Sequence, residues 1–441
     1  MANKTVDQLT TISGAGHSDY FVMYDASESA DEKLKKLPVS NFIRTLEVDD
    51  MTGTYDVYVD SVSGDDDTGD GSSGSPYETL EGAAAKFKNT ILDHNEGWSN
   101  LTFKLAKGTY NVPYYGFVPD PMWRTCKIVG TEPVTGRTIT SIQSSSGSAG
   151  DWSYVLNVSS VTGITAGEYI LISDTGGVTD GERLGGCWKI TNVDSGNTRL
   201  TINVTDWTTS ALSGSLTGDF CVLNTIVTGS YDVFVIENSN FTVGDLVCVP
   251  PSGGAGIRGI NNADIKIWST LAGFGINPDG ETARGVYLDN SFFAVVGGMS
   301  SMPVGLCGCS NSIAAWWGSV AQAMSTYEDI YCNGTNGVSI QLAGSSYIHM
   351  NGVHAHGSDS SGMVVSDNSM AYCSNNTGLN VINASVNGVE AQLGSFIRFS
   401  GAIKNATDDG LVANYGSGIY PTRHSNDSGE TYSNNSYIVG Y

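Results

Sequence analysis

Along most of the chain apolar and polar residues alternate with a period of two, in short runs broken by Gly, Ser, Thr and Asn. That period belongs to half-buried strands, and long helical periodicity is nearly absent. In the C-terminal part the pattern repeats. DIYCNG from Asp329, YIHMNG from Tyr347, MAYCSN from Met370 and FIRFSG from Phe396 each place apolar residues two apart and end in a small polar corner. A second short strand recurs behind a glycine, at Gly337, Gly362, Gly378, Gly388 and Gly410. Glycine there suits corners that need positive φ. Strand units repeating every 20–50 residues or so are the signature of a stacked, quasi-one-dimensional fold. The expected fold is an all-β solenoid with a narrow core filled by the alternating apolar residues.

Upstream, Val155–Ser173 aligns with Val233–Pro250 at a constant offset of 77 residues (Ile164 to Phe241, Gly167 to Gly244, Glu168 to Asp245). Between them a hairpin is predicted to turn at Ser195-Gly196-Asn197. Residues 136–255 are therefore expected to form a β-rich shoulder with an internal duplication, its paired carboxylates Glu168 and Asp245 serving turns. Near the N-terminus a strand is predicted at Asp19–Asp25, followed by LKKLPVSNFI, where Pro38 suits a helix opening. Ser75 is the expected N-cap of another helix, with Pro76 at its first position. Its apolar face (Leu80, Ala83, Ala84, Phe87) would plug the open end of a solenoid.

Two of these segments resemble known proteins. The order LTT…DYFVMYDASES…KKLPVSNFI resembles the N-terminal virion-anchoring segments of bacteriophage tailspikes and tail fibres. Tyr55–Phe87, with Ser75, Pro76, Tyr77, Thr79, Leu80 and Ala83, resembles the opening of pectate-lyase-like right-handed β-helix proteins. These resemblances imply a right-handed parallel β-helix assembled as a homotrimer. They divide the chain into an anchor (1–50), a β-helix opening and cap (51–135), the shoulder (136–255), the coils (256–415) and a tail available for trimer contact (416–441). The implied partners are other virion proteins, through residues 1–50, and host cell-surface polysaccharide. The function so implied is attachment to surface glycan. Two alternatives remain open, a polysaccharide depolymerase on the same spike and a structural virion fibre. A cellular pectate-lyase-like enzyme would leave residues 1–50 unexplained.

Charge narrows the partners. With 45 acidic against 21 basic residues the net charge is −24, so nucleic acid, which needs clustered Lys and Arg, is excluded as an expected partner. No apolar run approaches the ~20 residues of a membrane span, and MANKTVDQLTTISG lacks a signal-peptide core. A protein made in the host cytoplasm and carried on the virion is expected. The eight cysteines are scattered and read as free thiols packed as small hydrophobes. Cys307-Gly-Cys309 lacks the second pair of a zinc site. Asp65-Asp66-Asp67 with Asp70 lacks Ca²⁺-loop spacing and reads as a solvated acidic turn. No cofactor motif is present.

Candidate chemistry is sparse. Glycoside hydrolysis needs two carboxylates, about 5–5.5 Å apart for retention or 6.5–9.5 Å for inversion. Glu328-Asp329 is the candidate catalytic pair, because it precedes a coil strand and follows the only Trp-Trp pair. Trp316-Trp317 is the candidate glycan-binding platform, since aromatic faces beside carboxylates grip sugars; a buried coil segment is the competing account. His354-Ala355-His356 would point both imidazoles to one side of a strand. It resembles the His-x-His motif by which trimeric tail fibres hold iron, although here it stands once, in a coil.

Overall fold

The computed structural model describes residues 20–24, 34–38, 54–88, 100–113, 115–119, 125–177, 181–269, 275–276, 283–297, 304–323, 330–350, 352–373, 379–382, 384–426, 430–432 and 436–438. Three parallel ladders build a β-solenoid of about 11 turns. The first ladder runs through 54–59, 100–105, 126–129, 240–244, 264–269, 292–297, 320–323, 347–350, 370–373 and the first halves of 396–404 and 418–426, to 437–438. The second begins at 108–112 and 225–229 and includes 330–331, 353–356 and 379–382. The third runs from 234–237 to 430–432. Inward residues of all three stack into one core, from Phe103 and Phe234 at one end to Phe399 and Ile419 at the other. In a solenoid this core is the only place where alternating apolar residues escape water, so it fixes the register.

The repeat expected from the sequence is real in three of its four members. Tyr347, Met370 and Phe396 begin consecutive strands of the first ladder. Ile330-Tyr331 instead belongs to the second ladder, paired with Val353-His354. The true predecessor of Tyr347 is Val320, and three residues further along the same strand Ala323 faces Met350. Small residues hid that strand. Four of the five glycines behind the second strand act differently from expectation, and the fifth, Gly378, lies outside the described residues. Gly337, Gly362, Gly388 and Gly410 precede third-ladder strands and none has positive φ. A Cβ on Gly388 would lie 2.3 Å from Ile403 Cγ2 and 2.6 Å from the Gly410 carbonyl oxygen. These glycines permit close stacking of coils.

Positive φ is concentrated at the corner between third and first ladders: Asn290, Trp317, Ser345, Asp367, Asn368, Leu393 and Tyr415. Successive corners are joined by backbone hydrogen bonds, for example Asn368 N–H to Leu393 C=O (3.0 Å) and Gly394 N–H to Tyr415 C=O (3.1 Å). Behind each corner sits a buried serine: Ser291, Ser319, Ser346, Ser369, Ser395, Ser417. Ser369 Oγ accepts from Ser346 N–H at 3.0 Å, and Ser395 Oγ accepts from Ser369 N–H at 3.2 Å. The chain past 415 continues this pattern, contrary to the expected coil-free tail: 418–426, 430–432 and 437–438 extend all three ladders.

Between strands 126–129 and 225–229 the chain leaves the solenoid to form a closed antiparallel barrel of 134–148, 151–158, 169–176, 186–194, 199–204 and 217–223. Its exit and return meet where Thr131 N–H donates to Thr225 Oγ1 at 3.0 Å. The predicted hairpin at 195–197 is present as 186–194 against 199–204. The aligned segments, however, lie in different settings. Val155–Ser173 supplies two barrel strands, whereas Val233–Pro250 supplies parallel coil strands. Their shared pattern is that of any strand-turn-strand with a Gly-acidic step. Ile170 and Ile172 fill the barrel, while Tyr169 and Leu171 pack with Cys187, Val247 and Val249 against the solenoid.

At the N-terminal end, Leu80–Lys88 is helical with Leu80, Ala83 and Ala84 buried in the solenoid core; the Phe87 side chain lies outside the described residues. The cap is Thr79, whose Oγ1 accepts from Gly82 N–H at 2.9 Å, displacing the expected Ser75. Asp66 accepts from Glu78 and Thr79 N–H, and Asp65 from Asp67 and Thr68 N–H. Those carboxylates order their own loop. Further upstream, Tyr20–Tyr24 pairs antiparallel with Leu34–Pro38. Pro38 therefore ends a strand instead of opening a helix, a position where its missing N–H costs nothing.

Candidate glycan-facing surface and barrel junction

The outward side of the first ladder is aromatic over its last coils. Parallel pairing brings Tyr347 opposite Met370, His349 opposite Tyr372, Met370 opposite Phe396 and Phe396 opposite Gly418. His349 packs edge-on to Tyr372 at 5.0 Å, Arg398 lies 5.4 Å over the Tyr372 ring, Phe396 meets Tyr420 at 4.8 Å, and Tyr420 meets Tyr437 at 5.3 Å. These rings alternate with buried Ile348, Ala371, Ile397 and Ile419, which is why they face outward. Beside them the corner presents Trp317 and Tyr415, exposed by 66% and 60%. Rings in water with a cation beside them are suited to the apolar faces and anionic groups of saccharides.

Trp316 and Trp317 do not form one platform. Trp316 ends a third-ladder strand half-buried, while Trp317 turns the corner into solvent. Glu328 and Asp329 lie outside the described residues. A cleft of about 690 Å³ opens at the other end of the first ladder, lined by Asp56, Tyr58, Asp60, Lys104, Lys127, Glu132 and Asp245 among others. Lys104 pairs with Asp56 there. A hydrogen bond from Ser63 Oγ, helped by Val62 N–H, holds Asp60 below the usual carboxylate range.

The His354-Ala355-His356 strand lies where the barrel meets the solenoid. Both imidazoles are buried, because the barrel covers this part of the second ladder. Glu182, on the 3₁₀ turn Gly181–Leu184, places its Oε2 3.6 Å from His354 Nδ1 and 3.6 Å from His356 Nε2. Tyr331 stacks on His354 at 4.7 Å. Burial pushes His356 down to about 3, with His354 adding to the effect, so the ring is neutral at ordinary pH. The facing His354 ring, opposed by partial burial, lowers the Glu182 carboxyl. Next to it, buried Arg183 donates to Asp206 and to the Ser210 carbonyl. Asn333 Nδ2 reaches across to the Glu182 and Gly185 carbonyls at 2.7 and 3.0 Å. Glu182 was invisible to sequence reasoning, since nothing local links it to residues so far along the chain.

All eight cysteines are buried and unbridged. Burial pushes Cys307 up to about 12 and Cys309 up to about 11. They are core thiols.

Among the described residues no helix is long and apolar enough to cross a membrane. No protein-family model matches the sequence, and neither does any curated protein. The chain is similar in structure to a glycoside hydrolase (10% identity, TM-score 0.28, covering 87% of this chain and 95% of that one). It is also similar to XylC in complex with xylose (12%, TM-score 0.22, 88% and 70%). A third similarity is to the Gp54 tailspike of Acinetobacter baumannii bacteriophage AP22 in complex with A. baumannii capsular saccharide (11%, TM-score 0.20, 82% and 66%). Likeness this distant says nothing of what the chain binds or catalyses.

Proposed function

We propose that the chain is the shaft of a bacteriophage virion appendage and that its C-terminal coils bind host surface glycan. The supporting observation is the outward aromatic run from Tyr347 to Tyr437 with Arg398 against Tyr372. A linear polysaccharide lying along the solenoid would meet one ring at nearly every coil, about 5 Å apart. Homotrimer assembly and anchoring through residues 1–50 belong to the same proposal and rest on the sequence resemblance.

Each stacked ring contributes about 0.5–1.5 kcal/mol beyond its area. Replacing Tyr372 and Tyr420 together by Ala is expected to weaken binding of host capsule or lipopolysaccharide roughly 5- to 150-fold, with the fold intact by circular dichroism. Unchanged binding would overturn this surface as the site. Absence of adsorption by the unmodified chain to host cells would favour a structural fibre.

Depolymerase activity is a second reading, favoured by the carboxylates gathered in the 690 Å³ cleft. It predicts new reducing ends, or an unsaturated-uronate absorbance, when the protein is incubated with polysaccharide. Both signals should vanish in Asp60→Asn or Glu132→Gln.

A further inference from the structure

We infer that Glu182, His354 and His356 bind one divalent first-row transition ion, such as Zn²⁺, at the seam between barrel and solenoid. The inference is independent of the glycan reading. Three potential ligand atoms, one from each side chain, lie within 4.8 Å of one another. The two His-to-Glu separations of 3.6 Å are a few tenths wider than the ~3.4 Å that separates tetrahedral ligands each about 2.1 Å from zinc. Side-chain rotation of Glu182, which is 43% exposed, closes that gap. Its exposure also leaves a path for the ion and room for a water as a further ligand.

The second observation is His356 itself. Its side chain is fully buried, and neither ring nitrogen has a hydrogen-bond partner among the described residues, although Nε2 faces Glu182. A buried polar ring without partners costs about 1–3 kcal/mol, a cost that a metal bond would remove.

Position and charge agree. Pairing with 379–382 and stacking by Tyr331 fix the strand and the His354 ring before any ion arrives. The nearby Arg183 charge is answered by Asp206, and Lys404 acts on Glu182. Two imidazoles with one carboxylate favour zinc, nickel or iron over calcium and magnesium, which prefer all-oxygen sites. The ion would tie the 3₁₀ turn of the barrel to the coil beneath.

The full-length chain, stripped with a chelator and reloaded with Zn²⁺, Ni²⁺ or Ca²⁺, provides the test by elemental analysis after gel filtration and by thermal melting. One zinc per chain is expected, with a raised melting temperature and no effect of Ca²⁺. Glu182→Gln should weaken zinc binding by at least about tenfold, while His349→Ala, a histidine outside the seam, retains it. Co²⁺ loading should give the visible absorption of a four-coordinate site, which Glu182→Gln abolishes. No retained zinc and no melting shift would overturn the inference, as would zinc uptake indifferent to Glu182→Gln. His356→Asn is a further check. If it misfolds, the partly exposed Glu182 variant decides alone.

Discussion

Trp317 has φ of +52°, in a region that costs a bulky L-residue about 1–2 kcal/mol. Other corners of this kind use Asn290 and Asp367, residues that tolerate the same conformation, although Leu393 and Tyr415 hold it too, at +52° and +55°. The indole lies over Gly344, where an added Cβ would come within 3.1 Å of Trp317 Cε3, and the rest of it faces water, which makes it a candidate for ligand contact. Trp317→Asn is therefore expected to leave the melting temperature unchanged or slightly higher. Glycan binding should fall at the same time. A substantially lowered melting temperature would mean that the indole supports packing and would remove it from the binding surface. The sequence offered Trp316 and Trp317 as equals. Their separation depends on which of the two turns the corner, and neither composition nor hydrophobicity encodes that.

At the scale of the strand and corner, the sequence carried more than its hydrophobic pattern alone revealed. Asn-Ser-Phe at 290–292, Gly-Ser-Val at 318–320, Ser-Ser-Tyr at 345–347, Asn-Ser-Met at 368–370, Gly-Ser-Phe at 394–396 and Asn-Ser-Tyr at 435–437 mark first-ladder strands. Following this serine instead of the apolar residues would have rejected Asp329 as a repeat start and found Val320. It would also have carried the coils past residue 415. Apolar alternation misleads here because second- and first-ladder strands share the same inward spacing. The serine is specific because its hydroxyl must meet the N–H of the preceding coil's corner. Ser395→Val, similar in size but without the acceptor, leaves Ser369 N–H only its 3.2 Å bond to Ser366 C=O. A loss of about 0.5–1.5 kcal/mol in urea unfolding is expected. An exposed control such as Ser146→Val, on a barrel strand, should change stability by less than about 0.5 kcal/mol, and equal losses in both would refute a structural serine stack.

At the scale of the molecule, an antiparallel barrel with its own core is inserted into a parallel solenoid, and the seam between them is polar as well as apolar. This arrangement was only partly legible. Strand content and the 195–197 turn were, but barrel closure pairs 134–148 with 217–223, a non-local match that periodicity cannot supply. The same holds for Arg183 and Asp206, buried partners drawn from segments without strand periodicity. Burial pushes the Asp206 carboxyl upward and the Arg183 guanidinium pulls it back. Asp206→Ala would leave a buried cation uncompensated, a loss of about 3–5 kcal/mol. Because the barrel retains a core of its own, centred on Tyr154, Trp188 and Phe220, the damage should be confined to docking. Hydrogen exchange should accelerate at Trp207 N–H, bonded across the seam to Gly357 C=O. Amides inside the barrel ladder, such as those of Leu200 and Ile202, should keep their protection. Arg183→Met with Asp206→Leu removes both charges together and is expected to recover much of the loss. A double variant no better than Asp206→Ala would show that the seam depends on the shape of this contact and not on its charge balance.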